Sequence, residues 1–281
     1  MNITKELFER FCPVALTPDD RIFNSVCDFL TFSETEVAKY VGKELMEKIS
    51  ALDCEVSVLS PMDDMDDLCC EICRFVCVTA FLEAIPQLDL VLTETGFGVV
   101  SNANLAPASS DRIERLKASL VRARDNAVDE VLSKARSIDG WSETENAKQW
   151  INSLFWKGEH GKIIGLKYPT RSDLEGKAAE LSAAEAELKL LVSDEFHDAL
   201  CANERLHQGN AVLSQCAMLA RNLIAAIVLN LGSISAHKRV LLGFLDKHPT
   251  ECSKYVESSA YRANHFQPYE NKKDDSCFFF G

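Results

Sequence analysis

The chain has 281 residues, of which 47% are hydrophobic and 26% charged, and its formal net charge is −13. This composition is typical of a globular protein of one large or two ordinary domains, and it excludes a disordered chain. No stretch is basic enough to neutralise a row of phosphates, which argues against sequence-specific binding of nucleic acid. Glycine and proline number only 12 and 8, so long helices are favoured over an all-β fold.

Cysteine usage indicates a reducing compartment. There are 11 cysteines, an odd number, and the first residues are charged and lack the apolar core of a signal peptide. Cys70 and Cys73 form a C-x-x-C pair inside an apolar stretch, but a structural zinc site needs four ligands and no second pair follows. We therefore predict no metal ligands and no cofactor. The longest apolar run, 219–231, contains Arg221 and is too short to span a membrane.

In the first half of the chain, the pattern of apolar residues predicts three helices. The apolar residues either recur at helical spacing or form one long apolar run. The helices lie at 33–49, 68–84 and 109–139. Ser33 followed by Glu36 resembles a capping box at the start of the first helix. Pro86 is expected to end the second helix or to lie just past its end.

Residues 88–108 differ from the helices on either side. The alternation at 88–93 predicts a strand, Gly96–Gly98 a turn, and 99–100 a short return strand. The sequence therefore predicts a small β-prone hairpin or arm inserted in the first half. An exposed strand of this kind can pair with an edge on another chain. An ordinary ordered loop that covers the helices is the alternative.

The second half predicts another set of helices, at 174–203, 206–231, 235–245 and 250–262. Before it, 150–168 is rich in aromatic residues and glycine and predicts an extended or hairpin-like segment. Trp141, Trp150 and Trp156 surround this segment and are expected to pack between the two halves.

The two halves resemble each other in the order of their helices, which predicts an internal duplication. At constant offsets, first-half residues correspond to second-half residues as follows: Val37, Val41 and Leu45 to Leu188, Val192 and Phe196; Arg74 to Arg221; Leu116 and Leu120 to Leu241 and Leu245. We therefore predict a mainly all-α fold of two related helical-bundle halves. The predicted boundaries are a first repeat at 1–140 with the arm at 88–108, a linker at 141–172, a second repeat at 173–266 and a tail at 267–281.

Catalytic motifs are missing from the sequence, which has no phosphate-binding loop, no G-x-S-x-G and no H-E-x-x-H. We therefore predict a protein that is not an enzyme. Glu204 and His207 have the spacing used in carboxylate-bridged metal sites, but such a site needs motifs on facing helices and two further carboxylates. A metal-dependent enzyme would require Glu204 and His207 to meet residues such as Glu36 or Glu44.

The arm and its flanks carry a family resemblance. AIPQLDLVLT at 84–93, GFGVVSN at 96–102 and LAPAS at 105–109, followed by Arg112 and Leu116, resemble an uncharacterised family encoded in tailed phages and prophages of gut Bacteroidetes, near head and tail genes. The resemblance is strong over 68–136. It implies a virion component such as a head–tail connector or adaptor, which assembles as a ring and reaches a neighbour with an extended arm.

These observations predict a phage structural or assembly protein that forms homo-oligomers, contacts portal or tail proteins, and is located in the virion or the cytoplasm of a bacterial host. The predicted subunit-contact residues are Leu92, Thr93, Gly96, Phe97, Gly98, Val99, Val100 and Asn102. Two alternatives stay open at this point. One is a helical metal-dependent or small-molecule enzyme, and the other is an adaptor that binds a host protein.

Overall fold

The structure is a computed structural model that describes residues 1–12, 21–88, 91–93, 96–98 and 109–266. It confirms the all-α fold class, because the described residues are mainly helical and their strands form a single short pair. The predicted tail at 267–281 lies outside the described residues.

The chain forms two compact units. Unit 1 comprises Met1–Ala178 and Glu204–Gly209, and unit 2 comprises Ala179–Asn203 and Asn210–Gly281. Unit 1 therefore extends well past residue 140, where the sequence places the end of the first repeat.

Unit 1 is organised around one long central helix. Its elements are α1 (Lys5–Phe11), α2 (Arg21–Cys27), α3 (Leu30–Val41), α4 (Lys43–Ser50), α5 (Cys54–Leu59), α6 (Asp64–Leu88), β1 (Val91–Thr93), β2 (Gly96–Gly98), α7 (Ser110–Ala135), α8 (Glu145–Trp150) and α9 (Arg171–Glu175). Helix α6 packs against α1, α2, α3, α5 and α7. Most side chains between Leu68 and Ile85 are apolar and buried by these contacts, whereas Arg74 and Glu83 are exposed.

Helices α6 and α7 form an antiparallel pair that carries the hairpin at one end. At the opposite end, Lys134 in the last turn of α7 donates to Asp67 in the first turn of α6, with Nζ and Oδ2 2.5 Å apart. Asp64 and Asp66 also lie in that first turn, where the helix dipole favours acidic side chains. The strands β1 and β2 connect the other end of α6 to the start of α7.

Residues 141–172, for which the sequence indicates a linker, belong to the packed part of unit 1. Trp141, Ile151, Leu154 and Trp156 are all buried. The segment is built from two short 3₁₀ helices, Trp141–Glu143 and Gly158–Lys162, together with α8 and turns, so it is not extended. The physical reason is its aromatic content, since large apolar side chains are buried wherever the chain allows.

The three tryptophans pack inside unit 1, and not between two halves as the sequence suggests. Trp141 Nε1 donates to Val41 O at 3.1 Å. The Trp150 ring lies 4.4 Å from the Tyr40 ring, measured between centroids. These contacts hold the segment at 141–156 against α3.

Unit 2 has its own helical core. Its helices are α10 (Ala178–Val192), α11 (Asp194–Arg205), α12 (Ala211–Val228), α13 (Ile234–Leu245), α14 (Ser253–Val256) and α15 (Ser259–Asn264). Helices α12 and α13 pack closely against each other. Leu188, Phe196, Leu223 and Tyr255 are among the buried residues of this unit.

Helix α12 is the one helix among the described residues that is long and apolar enough, by length and composition, to cross a membrane. Such a helix is weak evidence for a membrane protein, because core helices pass the same test. Much of α12 is buried, including Arg221 and Ile224.

Both units contain the same helical kink at corresponding positions. Helix α3 ends and α4 begins at Gly42, and α10 ends and α11 begins at Ser193, both with positive φ angles, of 92° and 87°. The backbone hydrogen bonds on either side also correspond: Gly42 N donates to Ala38 O at 2.9 Å, and Ser193 N donates to Lys189 O at 2.8 Å.

The buried residues around the two kinks correspond as well. Val37 and Val41, which precede the first kink, are buried. Their counterparts before the second kink, Leu188 and Val192, are buried as well. The duplication stays a prediction, and this shared kink is the structural feature that supports it best.

A pair of substitutions at the kinks is expected to have opposite effects. Gly42 adopts φ 92° and ψ 153°, a region nearly restricted to glycine, and an added Cβ would lie 2.9 Å from Asn146 Oδ1. Gly42→Ala should therefore lower the free energy of unfolding by about 1–3 kcal/mol. Ser193→Gly should range from neutral to a gain of about 1 kcal/mol, because it relieves a positive φ.

The Ser193 substitution also removes the acceptor for Phe196 N, at 3.2 Å, which costs only a few tenths of a kcal/mol when glycine replaces a cap. Urea denaturation of each variant measures both effects. A larger loss for Ser193→Gly than for Gly42→Ala would show that the two kinks are not equivalent.

Candidate functional site

The predicted arm contains a short antiparallel hairpin. β1 pairs with β2 in the register Val91↔Gly98, Leu92↔Phe97 and Thr93↔Gly96. The structure therefore brings together five of the predicted subunit-contact residues. The other three, Val99, Val100 and Asn102, lie outside the described residues.

The position of the turn differs from the sequence-based prediction. The sequence predicts a turn at Gly96–Gly98, yet these residues form the return strand β2. The glycines at 96 and 98 mislead the prediction, since glycine usually marks a turn.

The outer edges of this hairpin have no strand beside them within the described residues, where the sheet has two strands only. When two residues separate the strands of a hairpin, the two residues of the first cross-strand pair bond to each other through their N–H and C=O groups. In the next cross-strand pair, the N–H and C=O groups of both residues point away from the partner strand. Here the outward pair is Leu92 and Phe97. Unpaired strand edges of this kind are templates for a strand from another chain.

The helical end beside the hairpin is also exposed. No residue of α7 between 110 and 119 is buried, and the first buried one is Leu120. On the other side of the hairpin, Leu88 at the end of α6 is exposed. The hairpin, which is separated from the end of α6 by two residues, and the exposed first turns of α7 are the candidate contact region, which we call the arm end.

A buried polar network fixes the other half of α7 to residues 156–172. Arg171 Nη2 lies 3.1 Å from Asp129 Oδ1, and Gly158 N donates to Asp129 Oδ2 at 2.6 Å. Ser172 N donates to Asp125 Oδ2 at 3.1 Å. Burial raises the pKa of Asp129, and the neighbouring Arg171 opposes that rise. The network anchors the C-terminal half of α7, at the opposite end of this helix from the arm end.

The residues considered for a carboxylate-bridged metal site have partners of their own. Glu204 Oε2 accepts from Trp156 Nε1 at 3.0 Å. Glu36 pairs with Lys39 at 2.6 Å, and Glu44 with Lys48 at 2.9 Å. Each carboxylate is explained by a structural contact or a surface ion pair, so the geometry gives no support to this ligand set.

Three cysteines form a cluster that the sequence reasoning missed. Cys54 at the start of α5 meets Cys69 and Cys73 on α6, and their Sγ atoms all lie within 4.8 Å of one another. All three are fully buried, whereas Cys70 of the C-x-x-C pair is only partly buried. The available signal was the spacing of Cys69 and Cys73, since residues four apart share one helix face. Cys54 could not be placed without the packing of α5 on α6.

Comparison with known proteins gives one match. Residues 37–148 are similar to a family described as "Family of unknown function (DUF6712)". The matched segment contains the hairpin, α6 and α7, and all three clustered cysteines. No curated protein and no solved structure gives a significant match.

Proposed function

We propose that the protein is a non-enzymatic structural or assembly protein of a phage virion, of the head–tail connector or adaptor kind. It forms homo-oligomers in which the hairpin of one chain contacts a neighbouring chain, and its further partners are portal or tail proteins. The observation that carries the proposal is the two-stranded hairpin with unpaired outer edges, placed at the exposed end of the α6–α7 pair.

Strand addition is the contact mode that this geometry favours. A two-stranded hairpin with three-residue strands is marginally stable by itself, and further strands stabilise it. A neighbouring strand would supply main-chain hydrogen bonds to the outward groups of Leu92 or Phe97. Assembly would then extend the sheet of the arm.

Charge at the arm end supports contact with a second copy of the chain. Five basic and two acidic residues lie between 110 and 124, although the whole chain carries a net charge of −13. Arg115 is 77% exposed, and Arg112 is exposed as well. Arg115 and Lys117 pair with Asp111 and Glu114 of the same helix, so the excess positive charge is modest. On an acidic protein, such an excess still attracts the acidic surface of another copy.

Paired substitutions in the hairpin test the proposal. Leu92→Pro removes an outward N–H, whereas Leu92→Ala shortens the same side chain and keeps the N–H. We expect light scattering to show a mass well above 31.3 kDa for the unmodified chain and for Leu92→Ala, and a shift towards monomer for Leu92→Pro. Phe97→Pro and Phe97→Ala form a second matched pair on the other strand.

Equal masses for the proline and alanine variants would show that the hairpin edge makes no subunit contact. Circular dichroism of each variant checks that the helices remain folded. A one-to-one complex with a host protein, without self-association of the chain, would favour the host-adaptor alternative instead.

A further inference from the structure

The cysteine cluster of unit 1 has the geometry of a thiolate metal site. Around a tetrahedral zinc ion with Zn–S bonds of about 2.3 Å, the sulfur atoms lie about 3.8 Å apart. The sulfurs of Cys54, Cys69 and Cys73 already lie within 4.8 Å of one another. A small movement of side chains would therefore bring all three sulfurs to bonding distance of one central ion.

The three sulfurs come from two helices that pack firmly together. Cys69 and Cys73 lie one turn apart on α6, and Cys54 is the first residue of α5. Helices α5 and α6 are in close contact, and a hydrogen bond of 2.6 Å from Ser57 Oγ to Asp66 Oδ1 ties them together. Because the donors are held by packed helices, the site is preorganised.

The donor set of the cluster suits a soft metal ion. The group consists of three thiols, all of them buried. Thiolates are the ligands of metal ions, and a buried negative charge without a counter-ion is costly.

We propose that Cys54, Cys69 and Cys73 together bind one thiophilic d¹⁰ metal ion, the class to which zinc(II) and copper(I) belong. For zinc, the three sulfurs leave the fourth tetrahedral position to a water molecule, as in other zinc sites with three protein ligands. Soft sulfur ligands without nitrogen or carboxylate partners select such ions. Binding displaces the thiol protons, so that the metal replaces S–H groups in the core of unit 1. The ion would tie α5 to α6 and stabilise the fold, and the proposal is independent of the role of the hairpin.

The chain provides its own comparison for ordinary buried thiols. Cys216 and Cys252 in unit 2 are also buried, with Sγ atoms 3.8 Å apart. No metal-ligand group of three or more includes them within the described residues. Two sulfurs without a third ligand do not make a zinc site, so this pair should not bind the ion tightly.

The test uses the full chain, reduced and freed of metal with a chelator, then titrated with Zn²⁺ against a competing indicator. We expect one Zn²⁺ per chain and a higher melting temperature when it is bound. Cys73→Ser should weaken Zn²⁺ binding at least about tenfold, since even changes outside the ligand shell cost that much. Titration with Co²⁺ should give the sulfur-to-metal absorption of a thiolate site, and Cys69→Ser should reduce it.

Matched controls come from the same helix and from unit 2. Cys70→Ser lies between two proposed ligands, and Cys77→Ser is buried one turn beyond Cys73. Neither variant should change the stoichiometry or affinity for Zn²⁺, and neither should Cys216→Ser.

Alkylation gives a second reading if a serine variant fails to fold. In the unmodified chain, bound Zn²⁺ should protect Cys54, Cys69 and Cys73 from a thiol reagent more than Cys77. If Cu⁺ binds but Zn²⁺ does not, and Cu⁺ binding depends on Cys73, then the site binds an ion of the proposed class and that ion is copper(I). The proposal is overturned if neither ion binds one per chain, if Cys70→Ser and Cys73→Ser weaken binding equally, or if two of the three cysteines form a disulfide in the purified protein.

Discussion

Asp129→Ala is expected to lower the free energy of unfolding by about 3–5 kcal/mol, among the largest effects of any single substitution in unit 1. The substitution leaves the Arg171 guanidinium without its carboxylate, and the side chain of Arg171 is only 12% exposed. It also removes the acceptor of Gly158 N. A loss below about 1 kcal/mol would show that residues 156–172 are not held by this pair.

A double variant separates the charge from the hydrogen bond. Asp129→Asn with Arg171→Met removes both charges and keeps an acceptor for Gly158 N, so we expect it to recover most of the loss. The reason is that a buried ion pair contributes little net stability, although breaking it on one side is costly. Urea denaturation of Asp129→Asn, Arg171→Met and the double variant gives the coupling energy directly.

The pH dependence of stability should change in the same variants. The pKa of Asp129 is raised in the folded protein, chiefly by burial, so between its unfolded and folded pKa the folded state binds the extra proton. The contribution of Asp129 to stability therefore falls as the pH rises through that window. In the double variant, the free energy of unfolding should no longer fall with rising pH in this window, as it does in the unmodified chain.

Phe196→Ala is expected to cost about 3–5 kcal/mol in unit 2. Its ring is 1% exposed and packs 6.0 Å from the buried ring of Tyr255, measured between centroids. The matched control is Leu190→Ala, at a side chain that is 84% exposed, and it should change stability by no more than about 0.5 kcal/mol.

Helical circular dichroism is the suitable measurement for this pair, because all three tryptophans lie in unit 1 and their fluorescence does not report on Phe196 directly. An equal effect of the two substitutions would contradict the buried position of Phe196. A large effect of Phe196→Ala would also support its correspondence to Leu45, which lies at the same step after the kink in unit 1.

The long helices could be predicted from the sequence because hydrophobic periodicity and composition determine them. The apolar run predicted as a helix at 68–84 forms the centre of α6, and the helix predicted at 109–139 is α7, which starts after Ser109. Pro86 lies inside the last turn of α6 and does not end it at once. A proline in the final turn disturbs few further hydrogen bonds, so the helix continues to Leu88.

The breaks within helical segments were not predictable in the same way. The predicted helix at 174–203 is interrupted at Ser193, where neither glycine nor proline marks the change. The capping box predicted at Ser33 is wrong, because Ser33 lies inside α3 and its hydroxyl donates to Phe29 O at 2.9 Å. Serine often bonds to a carbonyl four residues earlier inside a helix, so the residue type alone does not identify a cap.

The candidate sites differ in how far the sequence revealed them. Alternation and turn residues located the hairpin but misplaced its turn, since Gly96 and Gly98 lie in a strand. The cysteine cluster depends on contact between α5 and α6, which no local pattern encodes. The C-x-x-C pair lacks the second pair of ligands that a zinc site would need, whereas the structure joins Cys73 to Cys69 and Cys54 instead of Cys70.

The mass of the intact chain in solution, measured by light scattering over a wide range of concentrations, tests the central claim most directly. The account predicts a discrete oligomer, or a mass that rises with concentration, at multiples of 31.3 kDa. It also predicts that deletion of residues 93–104 leaves a folded protein that stays monomeric. A chain that remains monomeric at every concentration, or one whose assembly is unchanged by the deletion, would contradict the proposal of an oligomer joined through its arm.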